Sequence, residues 1–139
     1  MAGPLRVVID PNVLVSAVIA GGPPRQIVDL VAAGAIEMIS CPRLHEELEG
    51  VLARDRFLRW RTREQLDRFT ADIRMMAHHR ADPQDVPAVT RDPNDDYLVA
   101  LTVDADAEAL CSGDADLADV TVVTVRTPRA LLNHILSLA

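Results

Sequence analysis

Leu5-Arg6-Val7-Val8-Ile9-Asp10-Pro11-Asn12-Val13-Leu14-Val15-Ser16 is the stretch on which the fold turns. Residues 5–9 form a short β-branched run that stops at an aspartate. Asp10 suits a helix N-cap and Pro11 suits the first helical position, so the strand passes at once into a helix. Reading outward, Gly21-Gly22-Pro23-Pro24 closes that helix and a second runs from Pro24 to Ala33. Gly34 ends the second helix, and Ile36–Ser40 reads as another strand. Pro42 opens a helix whose apolar residues Leu44, Leu48, Val51 and Leu52 recur at helical spacing. Thr62 with Gln65 makes a capping box, which starts a fresh helix with the stripe Leu66, Phe69, Ile73 and Met76. After a turn-rich stretch over 82–93, a helix is predicted from about Asn94 to Ala105, apolar after Tyr97 and so buried. Ala109–Cys111 and Val120–Val125 read as strands, and Thr127–Leu136 as a closing helix capped by Thr127. Strands alternating with helices in this order predict an α/β fold. The expectation is one domain over 1–139 in three layers, a mostly parallel four- or five-stranded sheet with helices on both faces.

Composition narrows the function. The 139 residues are 49% hydrophobic and 25% charged, which suits one globular domain and excludes a disordered chain. All 14 basic residues are Arg, against 21 acids, for a net charge of −7. That balance argues against a simple basic nucleic-acid binder. Aromatics at 3% argue against a stacking platform for single strands. Cys41 and Cys111 lie far apart with no CxxC pair, and both follow apolar residues, so buried free thiols are expected rather than a zinc site. Asp10 interrupts the first apolar run before a secretory segment could form, and no stretch approaches the ~18 apolar residues that span a bilayer. A cytoplasmic protein with no membrane partner is expected.

The acids are unevenly placed. Residues 82–119 hold 11 acids and one base, Arg91, while the rest of the chain carries a small positive excess. In parallel α/β sheets ligands bind beyond the carboxyl ends of the strands. Asp10 ends the first strand; Asp114 and Asp116 follow the strand at 109–111, after Ser112-Gly113; Asp92, Asp95 and Asp96 start the buried helix. Glu47 lies on the flank of the helix after the second strand, whereas Glu46 points away from its apolar stripe. Two carboxylates 5 Å apart oppose each other by about 3 kcal/mol at an effective dielectric near 20. Such a group either takes up protons or holds a cation, and oxygen ligands alone favour Mg²⁺ or Mn²⁺ over Zn²⁺. Taken singly, each acid has a plainer reading: Asp10 and Asp92 as caps, Asp95 and Asp96 as first-turn acids, Asp114 and Asp116 as turn residues. An EF-hand is excluded, because Asp104-x-Asp106-x-Glu108 lacks the Gly at the sixth position and the Glu at the twelfth.

Four segments together resemble the motifs of PIN-domain ribonucleases. Ile9-Asp10-Pro11-Asn12 resembles the opening motif, Pro42-Arg43-Leu44-His45-Glu46-Glu47-Leu48 the second, Arg91-Asp92-Pro93-Asn94-Asp95-Asp96-Tyr97-Leu98-Val99-Ala100 the third, and Cys111-Ser112-Gly113-Asp114-Ala115-Asp116-Leu117 the fourth. The similarity is nearest to the VapC-like toxins of type II toxin–antitoxin modules. It implies a Mg²⁺- or Mn²⁺-dependent endoribonuclease with Asp10, Glu47, Asp96 and Asp114 as its catalytic acids. Asp10, Asp96, Asp114 and Asp116 would be metal ligands, and Asn12 and Ser112 auxiliary residues. It also implies an RNA substrate, a small cognate antitoxin and a homodimer. Pro11 departs from the family's usual Thr or Ser and removes a hydroxyl and a backbone donor beside Asp10.

Six arginines crowd residues 54–68. Arg56, Arg59 and Arg63 are candidates for RNA contact, with a solvated helix face as the plainer reading. His78-His79 reads as strand-edge surface. The competing function is a catalytically weak or inactive PIN-fold module that binds RNA or protein. A haloacid-dehalogenase-type phosphatase is disfavoured, because Asp10-Pro11-Asn12 lacks the second Asp of its nucleophile motif.

Overall fold

The computed structural model describes residues 3–138. Strand β1 (Leu5–Ile9) lies at the centre of a five-stranded parallel sheet, flanked by β2 (Ile36–Ser40) and β4 (Ala109–Cys111). The short strands β3 (His78–His79) and β5 (Val125–Arg126) form the edges, giving the order β3-β2-β1-β4-β5. Val7, Val8 and Ile9 are wholly buried, as a central parallel strand covered on both faces requires.

Among the described residues seven helices flank the sheet: α1 (Pro11–Ile19), α2 (Gly22–Ala32), α3 (Pro42–Leu52), α4 (Arg63–Met76), α5 (Asp96–Asp104), α6 (Ala115–Ala118) and α7 (Pro128–Ser137). Helix α5 is buried from Asp96 through Thr102 and packs against β1 and β4, in keeping with its apolar sequence. The capping box of α4 is formed reciprocally: Thr62 Oγ1 accepts the Gln65 amide at 3.1 Å and Gln65 Oε1 accepts the Thr62 amide at 2.9 Å. Leu66, Phe69 and Ile73 of its stripe enter the core. Cys41 and Cys111 are buried free thiols.

Three boundaries differ from expectation. Helix α2 begins at Gly22, two residues early, because Gly21 and Gly22 take positive φ at the α1–α2 junction. The helix expected from Asn94 opens instead as a 3₁₀ turn over Pro93–Asp95 before α5 begins at Asp96. The strand expected over Val120–Val125 is confined to Val125–Arg126. Helix α6 is only four residues long, so residues 120–124 serve as the return path that lets β5 run parallel to β4. Their β-branched composition serves that extended return, and Val122 stays exposed.

The sheet order positions the site. The chain moves outward from β1 to β2 to β3, then crosses back through α5 to β4 on the other side of β1. The carboxyl ends of β1 and β4 therefore flank the point where the direction of winding reverses, the usual crevice for ligands in such sheets. The Asp10 amide donates to the Cys111 carbonyl at 2.9 Å, which fixes the two ends side by side.

Candidate active site

Asp10 leaves the end of β1 and is 1% exposed. Its carboxylate is held at both oxygens: Oδ1 accepts the Asn12 amide at 2.9 Å and Oδ2 accepts the Ser112 hydroxyl at 2.8 Å. Ser112 Oγ in turn accepts the Asp114 amide at 3.1 Å, and Asp114 Oδ1 accepts the Asp116 amide at 2.8 Å as the cap of α6. Burial pushes the Asp10 carboxyl up, the bonds from Asn12 and Ser112 oppose that, and the charge of Asp114 adds to it.

Asp95, the last residue of the 3₁₀ turn before α5, faces this pair. Its carboxyl is pushed up to about 7, first by burial and then by the charges of Asp10, Asp114 and Asp92, and it lies within hydrogen-bonding reach of Asp114. Glu47 joins from α3. Burial and then the Asp10 charge raise it, while the Tyr97 hydroxyl, donating to Oε1 at 3.3 Å, and Arg43 oppose the rise. Asp92 also adds to the field on Glu47 and Asp95, and caps the 3₁₀ turn through the Asn94 amide at 3.0 Å.

Asp10 thus lies within electrostatic reach of both Asp114 and Glu47, and Asp96 does not join them. Its side chain is turned to the preceding loop, where Oδ1 accepts the Thr90 amide at 2.8 Å, the Thr90 hydroxyl at 2.7 Å and the Val89 amide at 3.2 Å. Burial pushes the Asp96 carboxyl up, and these bonds more than offset it, leaving it below its ordinary value. The carboxylate that faces Asp10 and Asp114 belongs to its neighbour, Asp95. Adjacent residues at a helix start point about 100° apart, so only one of the two can face the crevice. The family resemblance singled out Asp96; the docking of Val89-Thr90 onto it left no trace in the sequence. Asp116 is likewise turned outward, 3.9 Å from Arg91, which also bonds Asp119 at 2.9 Å.

The expected RNA-contacting arginines lie elsewhere. Arg63 donates to the Leu52 and Ala53 carbonyls at 2.8 and 3.2 Å, closing the end of α3. Arg56 and Arg59 stack over Phe57 and Trp60, at 4.7 and 5.3 Å, in the 3₁₀ turn Asp55–Arg59 and its end. About 16 Å of α3 separates that turn from the sheet edge that bears the acids.

Among the described residues, no three Asp, Glu, His or Cys side chains converge to enclose a metal ion on their own. The arrangement fits instead a hydrated cation held through one or two carboxylates, the mode Mg²⁺ favours. Burial first, and then the charges of Asp10, Asp114 and Asp92, lift Asp95 to about 7, and a bound cation would relieve the repulsive part of that rise. An open cleft of about 430 Å³ runs beside Asp114, lined by Asn12, Ser16 and Gly113 with Val13, Pro24 and Pro128. A larger groove of about 630 Å³ between α2 and α4 contains none of the clustered acids.

The sequence profile of the PIN domain matches residues 6–116. The chain belongs to the PIN domain family. Solved structures agree on the fold. PAE2754 from Pyrobaculum aerophilum superposes on this PIN domain with a TM-score of 0.69 at 12% identity, over 96% of this chain and 90% of the other. VapBC2 from Rickettsia felis, in a crystal with a DNA fragment from its promoter, gives 0.62 at 9% identity, over 88% and 98%. No curated protein compared with this PIN domain matches it in sequence. The profile match spans β1 through the start of α6 and so includes every acid of the crevice. No helix of the described residues is long and apolar enough to cross a membrane.

Proposed function

We propose that this PIN domain is a Mg²⁺- or Mn²⁺-dependent endoribonuclease, the toxin of a toxin–antitoxin pair that acts as a homodimer and is restrained by a small antitoxin. The observation that carries the nuclease reading is that Asp10, Asp95 and Asp114 lie close enough for their charges to act on one another, with Glu47 and Asp92 beside them, at the crevice between β1 and β4. The likeness of the fold to the VapBC2 complex supports the toxin–antitoxin reading. In this reading Asp95 and Asp114 hold the metal, and Asp10, fixed by Asn12 and Ser112, lies behind them. The metal, when bound, supplies Lewis-acid activation of the attacking water and neutralises the phosphate. Glu47 takes the proton the water gives up at a carboxylate oxygen, with Tyr97 orienting that carboxylate. The new bond joins the water oxygen to phosphorus and the bond to O3′ breaks. O3′ takes up a proton from solvent, and the products are a 5′-phosphate and a 3′-hydroxyl.

The alternative, a PIN fold that binds without cleaving, draws on Pro11, which brings no hydroxyl to Asp10. Ser112 supplies one from the opposite side at 2.8 Å. Cleavage of a mixed-sequence RNA in millimolar Mn²⁺ decides between them, with Asp95→Asn as the control. Asp95-dependent cleavage supports the enzyme; RNA binding without cleavage supports the alternative.

A further inference from the structure

We propose that Arg43 is a phosphate-binding residue of this site and grips the RNA backbone beside the acid cluster. The inference rests on the nuclease reading above and assigns a substrate contact nearer the acids than Arg56, Arg59 and Arg63. Arg43 is the second residue of α3, immediately beyond the carboxyl end of β2, and so lies on the same sheet edge as the acids. Its guanidinium carbon stands 4.3 Å above the Tyr97 ring. That ring is itself fixed, since Tyr97 is 1% exposed and its hydroxyl donates to Glu47. An arginine stacked on an immobile ring keeps its planar fork in one orientation.

The donors of that fork are unspent. Arg43 is exposed, and among the described residues its side chain makes no ion pair and donates no hydrogen bond; only its backbone amide is engaged, by Asp82 at 2.9 Å. Arg91, by contrast, is committed to Asp116 and Asp119. A free, oriented guanidinium next to carboxylates is suited to an anion that offers two oxygens to one planar fork, and the non-bridging oxygens of a phosphodiester do so. Its attraction also counters the repulsion that five clustered acids exert on RNA.

The test uses the full chain and a labelled single-stranded RNA of mixed sequence. Binding is measured with Ca²⁺ in place of Mn²⁺ to suppress turnover, and cleavage is measured with Mn²⁺. Arg43→Gln is expected to weaken RNA binding about tenfold and to lower the salt slope by about one, while kcat and stabilisation by Mn²⁺ stay near wild type. Arg43→Lys restores charge without the fork and should recover only part of the affinity. It carries the test if melting shows that the Gln variant is destabilised. Arg68→Gln, far from the acids, should leave binding unchanged. An unaltered KM and salt slope in both Arg43 variants overturns the proposal while wild-type cleavage keeps the nuclease reading intact. A shifted pH profile with an unaltered salt slope overturns it too, since Arg43 would then only screen Glu47. Wild-type protein that neither binds nor cleaves RNA overturns both.

Discussion

The Ser112 hydroxyl donates to Asp10 Oδ2 at 2.8 Å, and the two residues stand 102 positions apart in the chain. Ser112 Oγ also accepts the Asp114 amide, so one hydroxyl joins the carboxyl ends of β1 and β4. Ser112→Ala should cost about 1.5–3 kcal/mol, the worth of a hydrogen bond to a charged group, read by urea unfolding. It should also raise the Mn²⁺ concentration needed for half-maximal stabilisation. A variant as stable and as metal-responsive as wild type would show that the hydroxyl holds neither residue.

Asp95 and Asp96 should separate cleanly. Asp95→Asn removes a charge repelled by Asp10, Asp114 and Asp92, so without metal its melting temperature should rise. Its response to Mn²⁺ and its RNA cleavage should both be lost. Asp96→Asn keeps a carbonyl oxygen for the Thr90 and Val89 amides and should be mild, whereas Asp96→Ala strands those donors and should cost about 2–4 kcal/mol. If Asp96→Asn abolishes the metal response and Asp95→Asn preserves it, the assignment of the two carboxylates is reversed.

His45 is buried, with Nε2 unpartnered, and its ring lies 5.0 Å from that of His79. Burial, then Arg74 and His79, hold it down at about 4 against an ordinary 6.5, with Glu49 opposing. The folded protein therefore binds fewer protons than the unfolded chain between these values. Stability from this group is complete above pH 6.5 and is lost as pH falls toward 4, by about 3 kcal/mol. The difference in unfolding free energy between wild type and His45→Leu should vary with pH across that window. A constant difference would mean that His45 does not titrate there.

Thr62→Ala should remove one half of the α4 capping box and cost about 1 kcal/mol, with no effect on the Mn²⁺ response. Thermal melting with and without metal checks both parts, and a changed metal response would link α4 to the crevice.

How far the sequence could be read depended on whether a feature was local. The β1 run, the Asp10 cap and the Thr62–Gln65 box are set by residues a few positions apart, and each is found where it was expected. The gathering of acids at one sheet edge followed from strand order alone. The exchange of Asp95 for Asp96 did not, because it depends on which carboxylate Val89 and Thr90 dock against, a contact made by loop geometry. Arg63 shows the same limit: a charge that looked free on the helix surface is spent on carbonyls at the end of another helix. Residues 120–124 carry strand composition yet lie outside β5, since their length is used to turn the chain back.

The reversal of winding between β1 and β4 also sets a timetable. Synthesis delivers Asp10 before Glu47, and Asp95 and Asp114 after both. The backbone bond from Asp10 to Cys111 cannot form before β4 exists to receive it. Contacts of such long sequence separation close late in folding. On the nuclease reading, a growing chain is therefore harmless to the message that encodes it. The cutting centre comes into being only once β4 has been made and has met β1.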